Sequence, residues 1–204
     1  ENGREFQRLR PTDYTMDIFD RKSDSRFYKS FQTTYICALN STNIPKWTAA
    51  NAPTPAQVGQ PKFKIGETAV AMIVNSKNDT RFTAAYKNTF APLILARYTV
   101  NSTGAQATDY DLSTYPSLSK YNDPFRANLG EAKGTRDGIL ARLGETYLIA
   151  AEAYGRQGNY SKALTYLNTL RSRAAYKAGQ NRGFAYYISE NVPTTETTST
   201  VSSM

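Results

Sequence analysis

Apolar positions recur at helical spacing between Asp137 and Lys177. Leu140, Leu143, Tyr147, Ala150 and Tyr154 stand 3, 4, 3 and 4 residues apart, which places them on one face of an α-helix. After a break at Gln157-Gly158-Asn159, the residues Tyr160, Ala163, Leu164, Leu167, Leu170 and Ala174 repeat the pattern. Gly158 suits the left-handed position that ends a helix, and Asn159 can cap the next one. Asp137 suits the N-cap of the first helix, where its charge also favours the helix dipole. So short a connection makes the two helices antiparallel. Ala150, Ala151, Ala153 and Ala163 are small enough to let the backbones approach closely. The pattern predicts Leu143 and Leu167 to be buried and near one another.

Outside this pair the pattern is weaker. Residues 1–30 are polar and turn-rich, with a helical turn predicted around Asp17–Asp20, capped by Thr12 or Asp13. Residues 31–39 are β-branched and aromatic enough for a strand, and Ala69–Val74 and Leu93–Val100 read as two more. Asn78-Asp79-Thr80 reads as a turn. Residues 40–61 hold four Pro and no period, so they read as an irregular loop that carries Trp47 and has no regular backbone pairing. After Gly179 the periodicity dissolves, and residues 192–204 hold five Thr and three Ser, too little apolar content to fold alone. The reading is one partial domain: a loop-rich part over 1–136, a helix pair over 137–178 and an irregular tail over 179–204.

Two likenesses rest on these residues. Tyr147, Ala151, Tyr154, Gly158, Tyr160, Ala163 and Leu167 fall where a tetratricopeptide repeat places its large, small, large, Gly, Tyr, small and large positions. One such unit cannot bury both its faces alone. More specifically, the run Leu140-Ala-Arg142-Leu-Gly-Glu145-Thr-Tyr-Leu148-Ile-Ala-Ala-Glu152-Ala, followed by Ala163-Leu-Thr-Tyr-Leu-Asn168-Thr-Leu-Arg171-Ser-Arg173-Ala174, resembles the RagB/SusD-like family. Asp24-Ser-Arg26-Phe27-Tyr-Lys-Ser-Phe31 and the approach through Tyr115-Pro116, Asp123-Pro124 and Gly134-Thr-Arg136-Asp137 are similar to the same family. The resemblance implies a mainly α fold, tetratricopeptide-like packing with irregular loops and short β segments. It implies an outer-membrane, surface-exposed lipoprotein that binds a glycan or other oligomeric nutrient and works with a TonB-dependent, SusC-like transporter. It also implies a longer protein, with a signal, a lipidated cysteine and earlier helices before Glu1, and an Arg/Glu-rich helix after Met204.

Composition narrows the chemistry. The chain has 204 residues, 40% of them apolar, and no His. Without His, neither Ser-His-Asp nor Cys-His catalysis is available, nor the usual zinc ligands. Cys37 is the one cysteine, so no internal disulfide forms, and it reads as a small buried hydrophobe. The net charge of +8 is spread without a basic run, which argues against nucleic acid as a partner. No apolar stretch approaches the ~18 residues that a spanning helix needs. Asn40, Asn78, Asn101 and Asn159 begin Asn-x-Ser/Thr sequons, read as composition, because the resemblance implies a bacterial protein.

What remains is carboxylate chemistry and ligand capture. Glu145 and Glu152 share a helix face and could flank a glycosidic bond. Each also has a cation at ion-pairing distance along the helix, Arg142 and Arg156, and pairing is the preferred reading. Asp109-Tyr110-Asp111 offers two carboxylates, fewer than calcium usually takes. A sugar asks for an aromatic face with hydrogen-bonding groups around it. Trp47 with Asn43 and Lys46 fits that description, and Tyr186 and Tyr187 are a second candidate. Trp47 has two open readings, a sugar platform or a loop anchor packed on the core. The reading is therefore a binding protein, not an enzyme, with no cofactor or metal. A tetratricopeptide-type protein-binding scaffold is the alternative, and a glycoside hydrolase fragment a weaker one.

Overall fold

A computed structural model describes residues 10–38, 42–120, 122–123, 125, 127, 134–135 and 137–193. Asn40 and the Ser/Thr-rich tail after 193 lie outside the described residues, as do the chain's first nine residues.

The centre is a three-stranded sheet in the order β2 (Thr34–Ile36), β3 (Thr68–Ile73), β4 (Leu93–Ala96). β2 pairs antiparallel with β3, and β3 pairs parallel with β4. A parallel partner requires a crossover, and the crossover here carries the short helix α3 (Ala84–Asn88), capped by the Thr83 hydroxyl. β3 has a neighbour on each edge, and its C-terminal half, Ala71 to Ile73, is buried whichever way the side chains point. That explains its unbroken apolar run.

Around the sheet, α1 (Asp13–Asp17) is capped by Thr12, whose hydroxyl accepts from the Thr15 N–H, in line with the sequence. α2 (Arg26–Ser30) runs directly into β1 (Phe31–Gln32), which pairs with β7 (Ser117–Leu118). β5 (Thr99–Val100) pairs with β6 (Gln106–Ala107). Arg97, at the end of β4, donates to both Asp13 and Asp17, tying α1 to the sheet.

The C-terminal region corrects the sequence reading. Residues after Gly179 are not all irregular: Phe184–Glu190 forms a helix, α6. Gly183 precedes it at φ 74° and Asn191 ends it in the left-handed region at φ 52°. Ala185 joins Ala71, Ile73, Phe82, Ile94 and Ala96 in the core, with Phe184 and Ile188 packed against them. The Ser189 hydroxyl accepts from the Val74 N–H at 3.1 Å, where β3 ends. The helix is seven residues long and apolar on more than one side, so it has neither the length nor the one-sided pattern that marks a helix in sequence.

The helix pair is α4 (Leu143–Arg156) and α5 (Tyr160–Ala174). Gly158 has φ 75°, and the Asn159 side chain accepts from the Lys162 N–H at 3.2 Å, both as expected. Ala151 and Ala163 are buried in the seam, beside a stack of Tyr154 on Tyr166 with ring centroids 5.7 Å apart. Two expectations fail. α4 starts at Leu143 with Arg142 as its N-cap, not at Asp137; Gly138 is a poor helix former, and Leu140 is fully exposed, with nothing to hold it. Leu143 and Leu167 are also exposed, at 68% and 39%. The small alanines and the tyrosines take the seam, and one helix can cover only one side of another. The far end of the pair is fastened: Ser25 donates to the Ala174 carbonyl from its N–H and its hydroxyl, at 2.9 and 2.7 Å.

The loop over 42–61 also departs from expectation. It closes on itself by backbone pairing: the Trp47 N–H donates to the Gln60 carbonyl, the Gly59 N–H to the Trp47 carbonyl, and the Lys62 N–H to the Pro45 carbonyl. A 3-10 turn at Pro55–Gln57 caps the excursion.

Candidate functional site

A cavity of about 340 Å³ opens between the α2–β1 corner and the segment from Tyr176 to Ala185. One wall is set by local geometry. Ser25 and Lys29 lie one helical turn apart on α2, and Lys29 Nζ donates to Ser25 Oγ at 3.1 Å. The chain then turns into β1, bringing Phe31, Gln32 and Thr33 onto the same wall. Gln32 Nε2 donates to the Thr34 carbonyl at 2.5 Å, which orients the amide. Ser119 closes this side: its N–H donates to the Ser30 carbonyl and its hydroxyl to the Lys29 carbonyl, both at 2.8 Å.

The opposite wall is the connection from α5 to α6. Arg182 is 3% exposed, and its guanidinium lies 4.2 Å from the Tyr176 ring centroid and 5.1 Å from that of Tyr186. Its Nη1 donates to the Tyr186 hydroxyl at 2.7 Å, and that hydroxyl donates to the Lys22 carbonyl at 3.0 Å. The aromatic layer continues behind, with edge contacts from Tyr186 to Tyr28, Tyr176 and Tyr187. Burial raises the Tyr176 phenol above its ordinary range, Tyr186 adds to the rise and Arg182 opposes it. Tyr176 therefore stays protonated at neutral pH. Among the described residues no carboxylate lines this cavity, whereas Lys29 and Arg182 do. Two acids close in sequence to the lining residues are committed elsewhere: Asp24 to Arg26 at 2.5 Å, and Glu190 to Arg21 at 3.0 Å. The arrangement offers aromatic surface, hydroxyl and amide groups and positive charge, and it can hold a polar molecule.

The sequence-derived candidates are placed as follows. Trp47 is 6% exposed, and Lys62 Nζ lies 4.6 Å from its ring centroid. Its face is covered, so here the indole anchors the closed loop instead of forming an open platform. Asn43 and Lys46 are exposed beside it, and none of the three lines the cavity. Tyr186 is fully buried and backs the cavity through Arg182; Tyr187 is half-buried. Glu152 pairs with Arg156 at 2.6 Å. Asp109 accepts from Lys87 Nζ and the Ala96 N–H, and Asp111 from Ser113 and Thr114. Both carboxylates thus serve the protein's own donors. Among the described residues no three His, Cys, Asp or Glu stand together as metal ligands, and no helix is long and apolar enough to cross a membrane. Sequence reasoning missed Lys29, Gln32, Ser119 and Asn181. They are single polar residues on three separate segments, and only the fold brings them together.

No curated protein and no solved structure matches the chain. The model of the SusD family matches residues 2–199, nearly the whole sequence. Together with the helix-pair motif, that match shows that the chain belongs to the SusD family of nutrient-binding proteins.

Proposed function

We propose that the chain, acting as one domain, captures a glycan or similar oligomeric nutrient at the surface of the outer membrane. It hands that ligand to a TonB-dependent, SusC-like transporter and is itself held to the membrane by a lipid. The observation that carries the reading is the cavity at the α2–β1 corner, in a chain that the SusD family model covers over residues 2–199. Its wall pairs aromatic surface with hydroxyl and amide groups, which suits the C–H faces and hydroxyl rim of a sugar ring. In this reading Gln32, Ser119 and Asn181 contact the ligand, Tyr186 and Tyr187 support them from behind, and Asn43 and Lys46 are outlying surface contacts. The α4–α5 pair packs in the tetratricopeptide manner, and the protein does no chemistry on its ligand.

The test is affinity electrophoresis through gels containing a panel of polysaccharides, with assay for released reducing ends. Retardation by at least one polysaccharide without release is expected, and Gln32→Ala with Asn181→Ala should reduce it. Mobility unchanged in every gel would overturn the reading. Release of reducing ends that stops in Glu145→Gln or Glu152→Gln would replace it with a hydrolase. A transporter of the stated class should co-purify from membranes with the intact protein.

One observation favours the protein-binding alternative. Leu143, Leu148, Ile149 and Leu164 are each at least half exposed on α4 and α5, and an apolar helical surface suits another helix. Cross-linking that maps to these residues, with no glycan retention, would select the scaffold.

A further inference from the structure

We infer that the cavity between α2–β1 and the Tyr176–Ala185 segment selects a glycan bearing carboxylates, that is, one containing uronic-acid units. The inference rests on the capture reading above and adds the ligand's charge. Lys29 and Arg182 line the cavity and, among the described residues, no acidic side chain does. A pocket shaped for a neutral sugar typically mixes acceptors such as Asp or Glu with its donors, because each sugar hydroxyl both donates and accepts. Here the formally charged groups are both donors.

The two cations act differently. Lys29 is exposed at the rim, and its one side-chain hydrogen bond among the described residues, to Ser25 Oγ at 3.1 Å, leaves ammonium protons to donate to a carboxylate. Arg182 is buried against Tyr176 and Tyr186. It acts through its field, which a low-dielectric wall screens less than water would. The nearby carboxylates are themselves paired, Asp24 with Arg26 and Glu190 with Arg21 and Tyr28. The Tyr176 phenol, kept protonated by burial, adds no opposing charge. The Gln32 and Ser119 side-chain oxygens and the Asn181 amide N–H groups remain for hydroxyl groups of the same ligand.

The test compares polygalacturonate and alginate with their carboxyl-reduced, neutral counterparts, by calorimetry or affinity electrophoresis on the intact chain. Binding of at least one acidic polymer should exceed that of its reduced form by about tenfold or more, as expected for charge-assisted contacts. It should also weaken as salt rises from low to physiological ionic strength. Lys29→Gln keeps a polar side chain at the rim and should remove most of that preference; its circular dichroism and unfolding midpoint establish that it folds. Equal or tighter binding of the reduced polymers overturns the inference while leaving glycan capture standing. So does an acid preference unchanged in Lys29→Gln. A preference for a sulfated polymer such as dextran sulfate over both uronates overturns the carboxylate assignment. Absence of binding to acidic, reduced and neutral polymers alike overturns capture itself, and the two failures are thus separable.

Discussion

The Tyr28 hydroxyl donates to Glu190 Oε1 at 2.7 Å, joining α2 to the end of α6 across 162 residues of sequence. Arg21 Nε donates to the same oxygen at 3.0 Å, and both members of that ion pair are nearly nine-tenths buried. The two possible truncations therefore differ. Tyr28→Phe removes one hydrogen bond to a charged acceptor and leaves the ion pair intact, so it should cost about 1.5–3 kcal/mol. Glu190→Ala removes the shorter ion pair of Arg21, leaving it Asp17 at 3.9 Å and the Met16 carbonyl, and should cost about 3–5 kcal/mol. Urea unfolding of the two variants should rank them in that order; equal costs would mean that Arg21 finds water on losing its partner.

Alkaline pH should act on the same region. Burial, followed by the charge of Glu190, raises the Tyr28 phenol well above its ordinary value of 10.0. Burial raises Tyr110 and Tyr176 as well. The unfolded chain releases these protons near pH 10 while the folded chain keeps them, so the unfolded state binds fewer protons. Stability is then flat below about pH 10 and falls above it, by about 1.4 kcal/mol per pH unit for each tyrosine. Unfolding midpoints between pH 8 and 11 check this, and Tyr28→Phe should make the alkaline slope shallower.

Trp47 should behave as a structural residue. Its indole is 6% exposed and its backbone closes the loop in both directions, to Gln60 and from Gly59. Trp47→Ala should cost about 3–5 kcal/mol, as other large buried truncations do. Its fluorescence should be blue-shifted in the folded chain and red-shifted on unfolding. A destabilisation below about 0.5 kcal/mol, the range of ordinary surface changes, would return it to the list of ligand contacts.

The helix pair gives an inverted expectation. Leu143 is 68% exposed, so Leu143→Ala should change stability by less than about 0.5 kcal/mol. Ala163 is 8% exposed in the seam, with Gly155 opposite it. Ala163→Leu should cost about 1–3 kcal/mol by overpacking. Thermal unfolding separates the two; a large loss in Leu143→Ala would mean that another surface covers that leucine in solution.

The elements that read clearly from sequence are those whose cause is local. Thr12, Gly158 and Asn159 act on backbone within four residues, and each takes the role its side chain or its freedom at positive φ implies. β3 announces itself by a run of apolar, β-branched residues. α6 does not, because what makes it a helix is the sheet it covers, whose central strand β3 lies more than a hundred residues earlier. The exposed leucines fail for the complementary reason: periodicity marks a face as apolar and does not say whether anything lies against it. The cavity was the least legible part. Lys29, Ser119 and Asn181 carry no pattern of their own, and the clue nearest to them was Tyr186, which backs the wall through Arg182.

The position of α6 constrains the order in which this chain can be made. The hairpin of α4 and α5 uses contacts close in sequence and can form as soon as both helices exist. The β2–β3–β4 sheet cannot be completed in the same way, since Ala185 and Ile188 cover it and Ser189 satisfies the Val74 N–H. During synthesis from the N-terminus, β3 is therefore exported long before its lid, with Ala71, Ile73 and Phe82 open to solvent or to another chain in the meantime. A ribosome stalled short of Phe184 would hold a sheet with one bare face. Chaperone occupancy should peak on such intermediates and drop once Asn191 has emerged.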